Sequence, residues 1–238
     1  MLLLAGVVST TFTITNKCNY TVWPVILSAL KSAALSTTGF SLEKNESKTL
    51  TAPASWSGRF WGRTYCTEDS SGNFSCISGD CGSGKLECSG SGGAAPVTLA
   101  EFTLRGDGGL DYFDVSLVDG FNLPLLVVPS HQNCTSIGCL ADLNESCPSE
   151  LRVTTSTEGK TVGCRSACLV TSLSMFCCTG TNNSPDTCKA SLYSQFFKNA
   201  CPQAYSYAYD DRNNTFRCAS TDYQVTFCPG KYAILQFV

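Results

Sequence analysis

Thr98–Asn122, T-L-A-E-F-T-L-R-G-D-G-G-L-D-Y-F-D-V-S-L-V-D-G-F-N, is the stretch on which the fold turns. Two runs in it alternate at period two, as half-buried strands do. Ala100, Phe102 and Leu104 share one face of the first run, and Glu101, Thr103 and Arg105 share the other. In the second run Phe113, Val115 and Leu117 oppose Tyr112, Asp114 and Ser116. Gly106-Asp107-Gly108-Gly109 between them is a turn signal, because glycine enters positive φ without steric cost. The stretch predicts a hairpin. A one-residue slip would swap its faces, so the tightest register sets Phe102 opposite Phe113 and Glu101 opposite Asp114. Two carboxylates then stand side by side with Cβ atoms about 5 Å apart, a destabilising arrangement that invites a functional explanation. Asp119 follows at the end of the second strand. The plain alternative is three solvated acids on an exposed sheet face.

The chain has 238 residues, 15% of them charged, with a net charge of −3. That argues against nucleic acid or an anionic membrane as main partner, since both require a basic face. Sixteen cysteines indicate a disulfide framework made in an oxidising compartment. Residues 1–9, M-L-L-L-A-G-V-V-S, read as the tail of a secretory signal, with a buried N-terminal strand as the alternative. No apolar run reaches the roughly 18 residues needed to cross a bilayer. A secreted, soluble chain is expected.

Thr11–Thr15 and Tyr20–Val25 read as strands. Residues 66–93 are rich in Cys, Gly and Ser and have little to bury, so bridges must hold them. Composition shifts at Cys134, and nine of the 16 cysteines lie between there and Cys201. In the same segment Pro185-Asp186 is a helix-start signal, Leu192, Phe196 and Ala200 recur every four residues, and Pro202 stops the helix. The organisation expected is a β core of residues 10–133 and 202–238. It carries a small Cys-rich hairpin lobe at about 64–93 and an inserted disulfide-rich lobe at 134–201. Acceptor triplets for N-glycosylation stand at Asn19, Asn45, Asn73, Asn133, Asn144, Asn182 and Asn213.

The single histidine, His131, follows Pro129 in a loop, which removes a Ser-His-Asp triad or an H-E-x-x-H zinc site from consideration. The cysteines lack C-x-x-C pairs for zinc, and no phosphate-binding glycine loop is present. No metal and no cofactor is expected. What remains is carboxylate chemistry or carboxylate-lined binding, and paired acids are what glycosidic-bond hydrolysis requires.

Gly72–Cys88, G-N-F-S-C-I-S-G-D-C-G-S-G-K-L-E-C, resembles the signature of the thaumatin-like proteins, the group 5 pathogenesis-related proteins of plants. Ser78 stands where the family usually has threonine. F-T-I-T-N-K-C-N-Y-T-V-W-P at Phe12, G-R-F-W-G-R-T-Y-C at Gly58, D-V-S-L-V-D-G-F-N at Asp114 and C-P-Q-A-Y-S-Y-A-Y-D-D at Cys201 resemble it too. Leu169–Met175 departs, lacking the acidic and aromatic residues the family places before the Cys-Cys pair, and Lys231–Val238 runs past the usual terminus.

The resemblance implies a mainly β protein: a flattened β-sandwich with an inserted disulfide-rich lobe containing a short helix. It implies the pairs Cys18–Cys228, Cys66–Cys76, Cys81–Cys88, Cys134–Cys218, Cys139–Cys201, Cys147–Cys164, Cys168–Cys177 and Cys178–Cys188. It also implies an acidic cleft lined by Arg63, Glu101, Asp114, Asp119 and Asp210, with Glu101 and Asp114 as the catalytic candidates. Tyr112, Phe121 and Tyr205 are candidates for stacking on sugar. The function implied is that of a secreted antifungal defence protein, extracellular or vacuolar and monomeric. It would bind β-1,3-glucan or another fungal cell-wall polysaccharide, and some members hydrolyse that glucan weakly. The competing readings are a non-catalytic binding or membrane-perturbing module, and an inhibitor of another hydrolase.

Overall fold

The computed structural model describes residues 9–156, 158–210 and 214–230. Most of the leader reading for residues 1–9 therefore lies outside the described residues, as do Asn213 and the extension 231–238. Ser9 opens the first strand, β1 (Ser9–Asn16).

The strands that follow are β2 (Trp23–Ser28), β3 (Ser47–Pro53), β4 (Ser57–Glu68), β5 (Phe74–Ser78), β6 (Leu99–Thr103), β7 (Asp111–Ser116), β8 (Leu125–Pro129) and β9 (Ile137–Cys139). Then come β10 (Arg152–Thr154), β11 (Thr161–Cys164), the short helices α1 (Ala167–Thr171) and α2 (Ser174–Cys177), α3 (Leu192–Ala200), β12 (Phe216–Cys218) and β13 (Tyr223–Phe227). They build a five-stranded sheet in the order β3-β1-β13-β8-β9 and a six-stranded sheet in the order β12-β7-β6-β4-β2, with β5 paired to β4. The pair β10-β11 forms a third, small sheet.

The two large sheets pack through aromatic rings. Phe12 of β1 lies 4.9 Å from Phe60 and 4.8 Å from Phe102, ring centre to ring centre. Tyr223 of β13 lies 5.1 Å from Phe102 and 5.3 Å from Phe113. Edge-on and tilted contacts at these distances add directionality to the large apolar area that each ring buries. The Tyr223 hydroxyl donates to Oδ2 of the fully buried Asp111, 3.0 Å away. A buried carboxylate is thereby satisfied across the sandwich.

The central hairpin has the register read from the sequence: Phe102 opposes Phe113 and Glu101 opposes Asp114. Its turn contains Gly108 at φ 67° and Gly109 at φ 74°, the left-handed region glycine tolerates best. The eight bridges are those the resemblance implies, from Cys18–Cys228, spanning 210 residues, to Cys178–Cys188. The segment after Cys134 contributes β9 to the five-stranded sheet before the chain leaves it.

The helix differs from expectation. It begins at Leu192, not at Pro185-Asp186, because Ser191 supplies a better cap: its hydroxyl accepts from the Ser194 amide at 3.1 Å, and the Ser194 hydroxyl accepts from the Ser191 amide at 2.8 Å. This reciprocal pairing satisfies two otherwise orphaned amides. Leu192 points to solvent, 84% exposed; Phe196 and Ala200 pack partly buried against the core as expected, and Phe197 takes the fully buried place. Among the acceptor triplets, Asn19, Asn45, Asn73 and Asn133 are exposed, whereas Asn144 and Asn182 are half-buried. The Asn144 and Asn182 side-chain Nδ2 groups donate to Asn122 O and Ser174 Oγ. No helix among the described residues is long and apolar enough to cross a membrane.

Candidate functional site

The outer face of the six-stranded sheet carries the site, and strand pairing places its residues. Leu27 of β2 pairs with Arg59 of β4, Arg59 with Glu101 of β6, and Glu101 with Asp114 of β7. Period two sends all four side chains to one face. One step along, Ser57, Thr103, Tyr112 and Arg217 form a second row on that face. The sheet thus lines up a cation and two acids, beside a row of hydroxyls, an aromatic ring and a second cation.

Arg59 Nη1 lies 3.7 Å from Glu101 Oε1, and both side chains keep over a third of their surface exposed. Burial raises the Glu101 carboxyl above its ordinary value; Arg59 opposes that shift and Asp119 adds to it. Asp114 has no cation partner of its own among the described residues. Burial first and Glu101 second push its pKa up to about 8. Two acids this close do not both ionise freely, and they titrate as a pair. At neutral pH Asp114 holds its proton, and the Arg59 guanidinium favours the charged form of Glu101 beside it, the arrangement in which one acid can donate a proton next to a charged partner.

Two hollows meet at this pair. The larger, about 820 Å³, runs from Arg59, Glu101 and Asp114 over Thr103 and Tyr112 to the Ala29–Lys31 turn. The smaller, about 260 Å³, lies on the other side of the same three residues and is closed by Asp119, Tyr205 and Ala208. Tyr205 reaches it because the chain there runs alongside the end of β7, its amide donating to Val115 O at 2.8 Å.

Of the residues assigned to the cleft, Glu101, Asp114 and Asp119 line the smaller hollow, Tyr205 joins them, and Tyr112 lines the larger. Three do not. Arg63 is fully buried four residues along β4 from Arg59. Its guanidinium donates to Leu86 O at 2.6 Å, Trp23 O at 3.2 Å and Lys85 O at 3.5 Å. It holds the Cys81–Cys88 loop against the sheet, and burial lowers its pKa to about 10. Phe121 is fully buried in the core. Gly120, at φ 84°, turns the chain inward there, and a Cβ on it would lie 2.5 Å from Cys164 O. Asp210 is taken up by Lys198 Nζ at 2.7 Å and by the Ser206 amide and hydroxyl at 2.9 and 2.8 Å; it lines neither hollow. The cation at the acid pair is Arg59, which the sequence reading missed. It has the same strand parity as Arg63, but the β4–β6 pairing reaches Arg59 and Arg63 lies past it, opposite Trp23.

His131 sits in an exposed loop, its Nδ1 accepting from the Asn133 amide at 3.3 Å. All cysteines of the described chain are bridged, so the carboxylates are the reactive groups of this face.

Comparison with known proteins agrees with this architecture. The chain is 53% identical over 95% of its length to the PR5-like receptor kinase of Arabidopsis thaliana, of which it spans 35%. It is 51% identical to thaumatin-like protein 1 of Pyrus pyrifolia, with 94% of this chain and 93% of that one aligned. It is also 51% identical to pathogenesis-related protein 5 of Arabidopsis thaliana, with 94% and 92% aligned. Among solved structures, the thaumatin-like xylanase inhibitor shares the fold at a TM-score of 0.50 and 24% identity, over 92% of this chain and 99% of that one. The family model described as the thaumatin family matches residues 16–229, and this chain belongs to that family.

Proposed function

We propose that this chain is a secreted defence protein that binds linear β-1,3-glucan of fungal walls across the Arg59–Glu101–Asp114 row. The observation that carries the reading is the acid pair itself. Like charges opposed in a sheet destabilise it, yet here they sit on an open face between two hollows, with one of them held neutral by burial. A sugar chain offers such a site hydroxyls that both donate to the ionised acid and accept from the neutral one. Where the bound chain is cleaved, Asp114 is the proton donor and Glu101 the charged partner, as glycoside hydrolysis requires. Secretion fits the disulfide framework, and the exposed acceptor triplets at Asn19, Asn45, Asn73 and Asn133 are the places for glycans. The protein acts as a monomer, without cofactor.

Two measurements on the same preparation test this: co-sedimentation with insoluble β-1,3-glucan, and release of reducing ends from the soluble polymer. Wild type is expected to sediment with glucan, and Glu101→Gln and Asp114→Asn to lose release. Sedimentation without release makes the row a binding site only. Failure to sediment at all removes the glucan reading and leaves the inhibitor or membrane-perturbing alternatives to be tested.

A further inference from the structure

The larger hollow extends well beyond the acids, and one of its walls is a built feature. Ala29–Ser32 forms a tight turn closed by the Ser32 amide donating to Ala29 O at 2.9 Å. Its third residue, Lys31, sits at φ 71°, a region where lysine is strained and glycine is usual. Surrounding bonds hold the turn in place. The Ala29 amide donates to Ser57 O at 2.8 Å and the Ser57 amide to Ser32 Oγ at 2.8 Å. Trp56 Nε1 donates to Ser28 Oγ at 2.9 Å, and Ser28 Oγ in turn donates to Ala33 O at 2.9 Å. The turn thus presents Leu30, 98% exposed, at the rim of the hollow. A lone exposed leucine is ordinary; one on a strained, pinned turn beside the larger of the two hollows is better placed to meet a ligand.

Tyr112 lies in the floor of the hollow and is fixed as well. Its hydroxyl donates to Asp107 O at 3.2 Å, the Arg217 guanidinium stands 6.0 Å from its ring centre, and the close approach of Gly106 leaves no room for a Cβ there. Around this floor Ser57, Thr103 and Thr215 offer hydroxyls, and the cations Lys31 and Arg59 are interspersed with the acids Glu101 and Asp114. An apolar rim, a fixed ring, hydroxyls and interspersed cations and acids, with no field of a single sign, suit a neutral polyhydroxylated chain better than an ion or a peptide of one sign.

We infer that the Ala29–Ser32 turn and Tyr112 form the long arm of an asymmetric saccharide trough. Several sugar units of one glucan chain lie over them, on the side of the acid pair away from Asp119, and few lie in the smaller hollow. The inference rests on the glucan reading of the site and deepens it into a requirement for chain length and a direction.

Calorimetry with linear β-1,3-gluco-oligosaccharides tests it, using the intact disulfide-bonded protein with a disaccharide and a hexasaccharide as probes. Wild type is expected to bind the hexasaccharide at least about ten-fold more tightly than the disaccharide. Leu30→Asp, at a site too exposed to affect folding, is expected to weaken the hexasaccharide by about five-fold or more and leave the disaccharide unchanged. Tyr112→Ala is expected to weaken the hexasaccharide by at least as much. Wild-type hexasaccharide binding no tighter than disaccharide binding overturns the long arm while leaving the acid-pair reading intact. So does a Leu30→Asp variant that binds the hexasaccharide like wild type. Absence of binding at every length overturns both.

Discussion

Asp114→Asn is expected to stabilise this protein, and to do so in a pH-dependent way that identifies the cause. The folded-state pKa of Asp114 is raised from 3.8 to about 8. Between those values the folded chain holds a proton that the unfolded chain releases, so stability falls as pH rises through the interval. At 1.36 kcal/mol per unit the full shift sets a ceiling of about 5–6 kcal/mol. The side chain opens onto the hollows, and solvent screening there brings the expected gain at pH 7 to about 1–2 kcal/mol. For a chain of this size that raises the melting temperature by about 2–8 °C. Near pH 3 aspartic acid is neutral in both states, and the substitution should change little. The assay is thermal unfolding of wild type and variant at matched scan rate from pH 3 to pH 9, with disulfides intact. A difference that grows with pH and levels off above pH 8 is the expected outcome. A difference independent of pH, or a variant less stable throughout, would falsify the account of the acid pair.

Arg63→Met is expected to destabilise the fold by about 2–3 kcal/mol, because three carbonyls lose a charged donor, while glucan binding is kept. Arg59→Met should leave stability within about 0.5 kcal/mol, as exposed ion pairs do, and raise the lower pKa of the binding profile by removing the cation that opposes the upward shift at Glu101. Exchanged phenotypes would return Arg63 to the site. Any glucan hydrolysis is expected to be greatest while the pair shares one proton, from above the ordinary glutamate value of 4.5 to about 8, and to fall at higher pH; a rate still rising past pH 9 counts against Asp114 as the acid. Tyr223→Phe removes the hydroxyl from buried Asp111 and should cost about 1–3 kcal/mol by chemical denaturation, with an unchanged midpoint refuting the cross-sandwich role. Replacing Cys18 and Cys228 together by serine opens a closure of 210 residues and should lower stability by about 2–5 kcal/mol.

What the sequence determined by itself was local or periodic. The alternation at Ala100–Leu104 and Phe113–Leu117, with a glycine turn between, leaves one tight register that buries the phenylalanines, and that register opposes Glu101 to Asp114. A hairpin can be read because its two partners are neighbours in the chain. Cysteine number and order, matched to the family resemblance, carried the bridges. Tertiary structure decided the rest, because it depends on strands far apart in sequence. Arg59 and Arg63 have the same parity; the pairing of β4 with β6 puts Arg59 beside Glu101, whereas Arg63 lies past that ladder, opposite Trp23 and under the Cys81–Cys88 loop. Phe121 reads as an aromatic near the acids until Gly120 turns it into the core. Asp210 reads as a fourth acid until Lys198 and Ser206 close around it. The helix start passed from Pro185-Asp186 to Ser191 because a reciprocal side-chain cap satisfies amides that the earlier signal would leave open. The long hollow has no sequence signature at all, since its floor comes from β4, β6 and β7 and its wall from a turn some seventy residues upstream of Glu101. Period and turn chemistry are written residue by residue; which faces meet is a property of the whole packed chain.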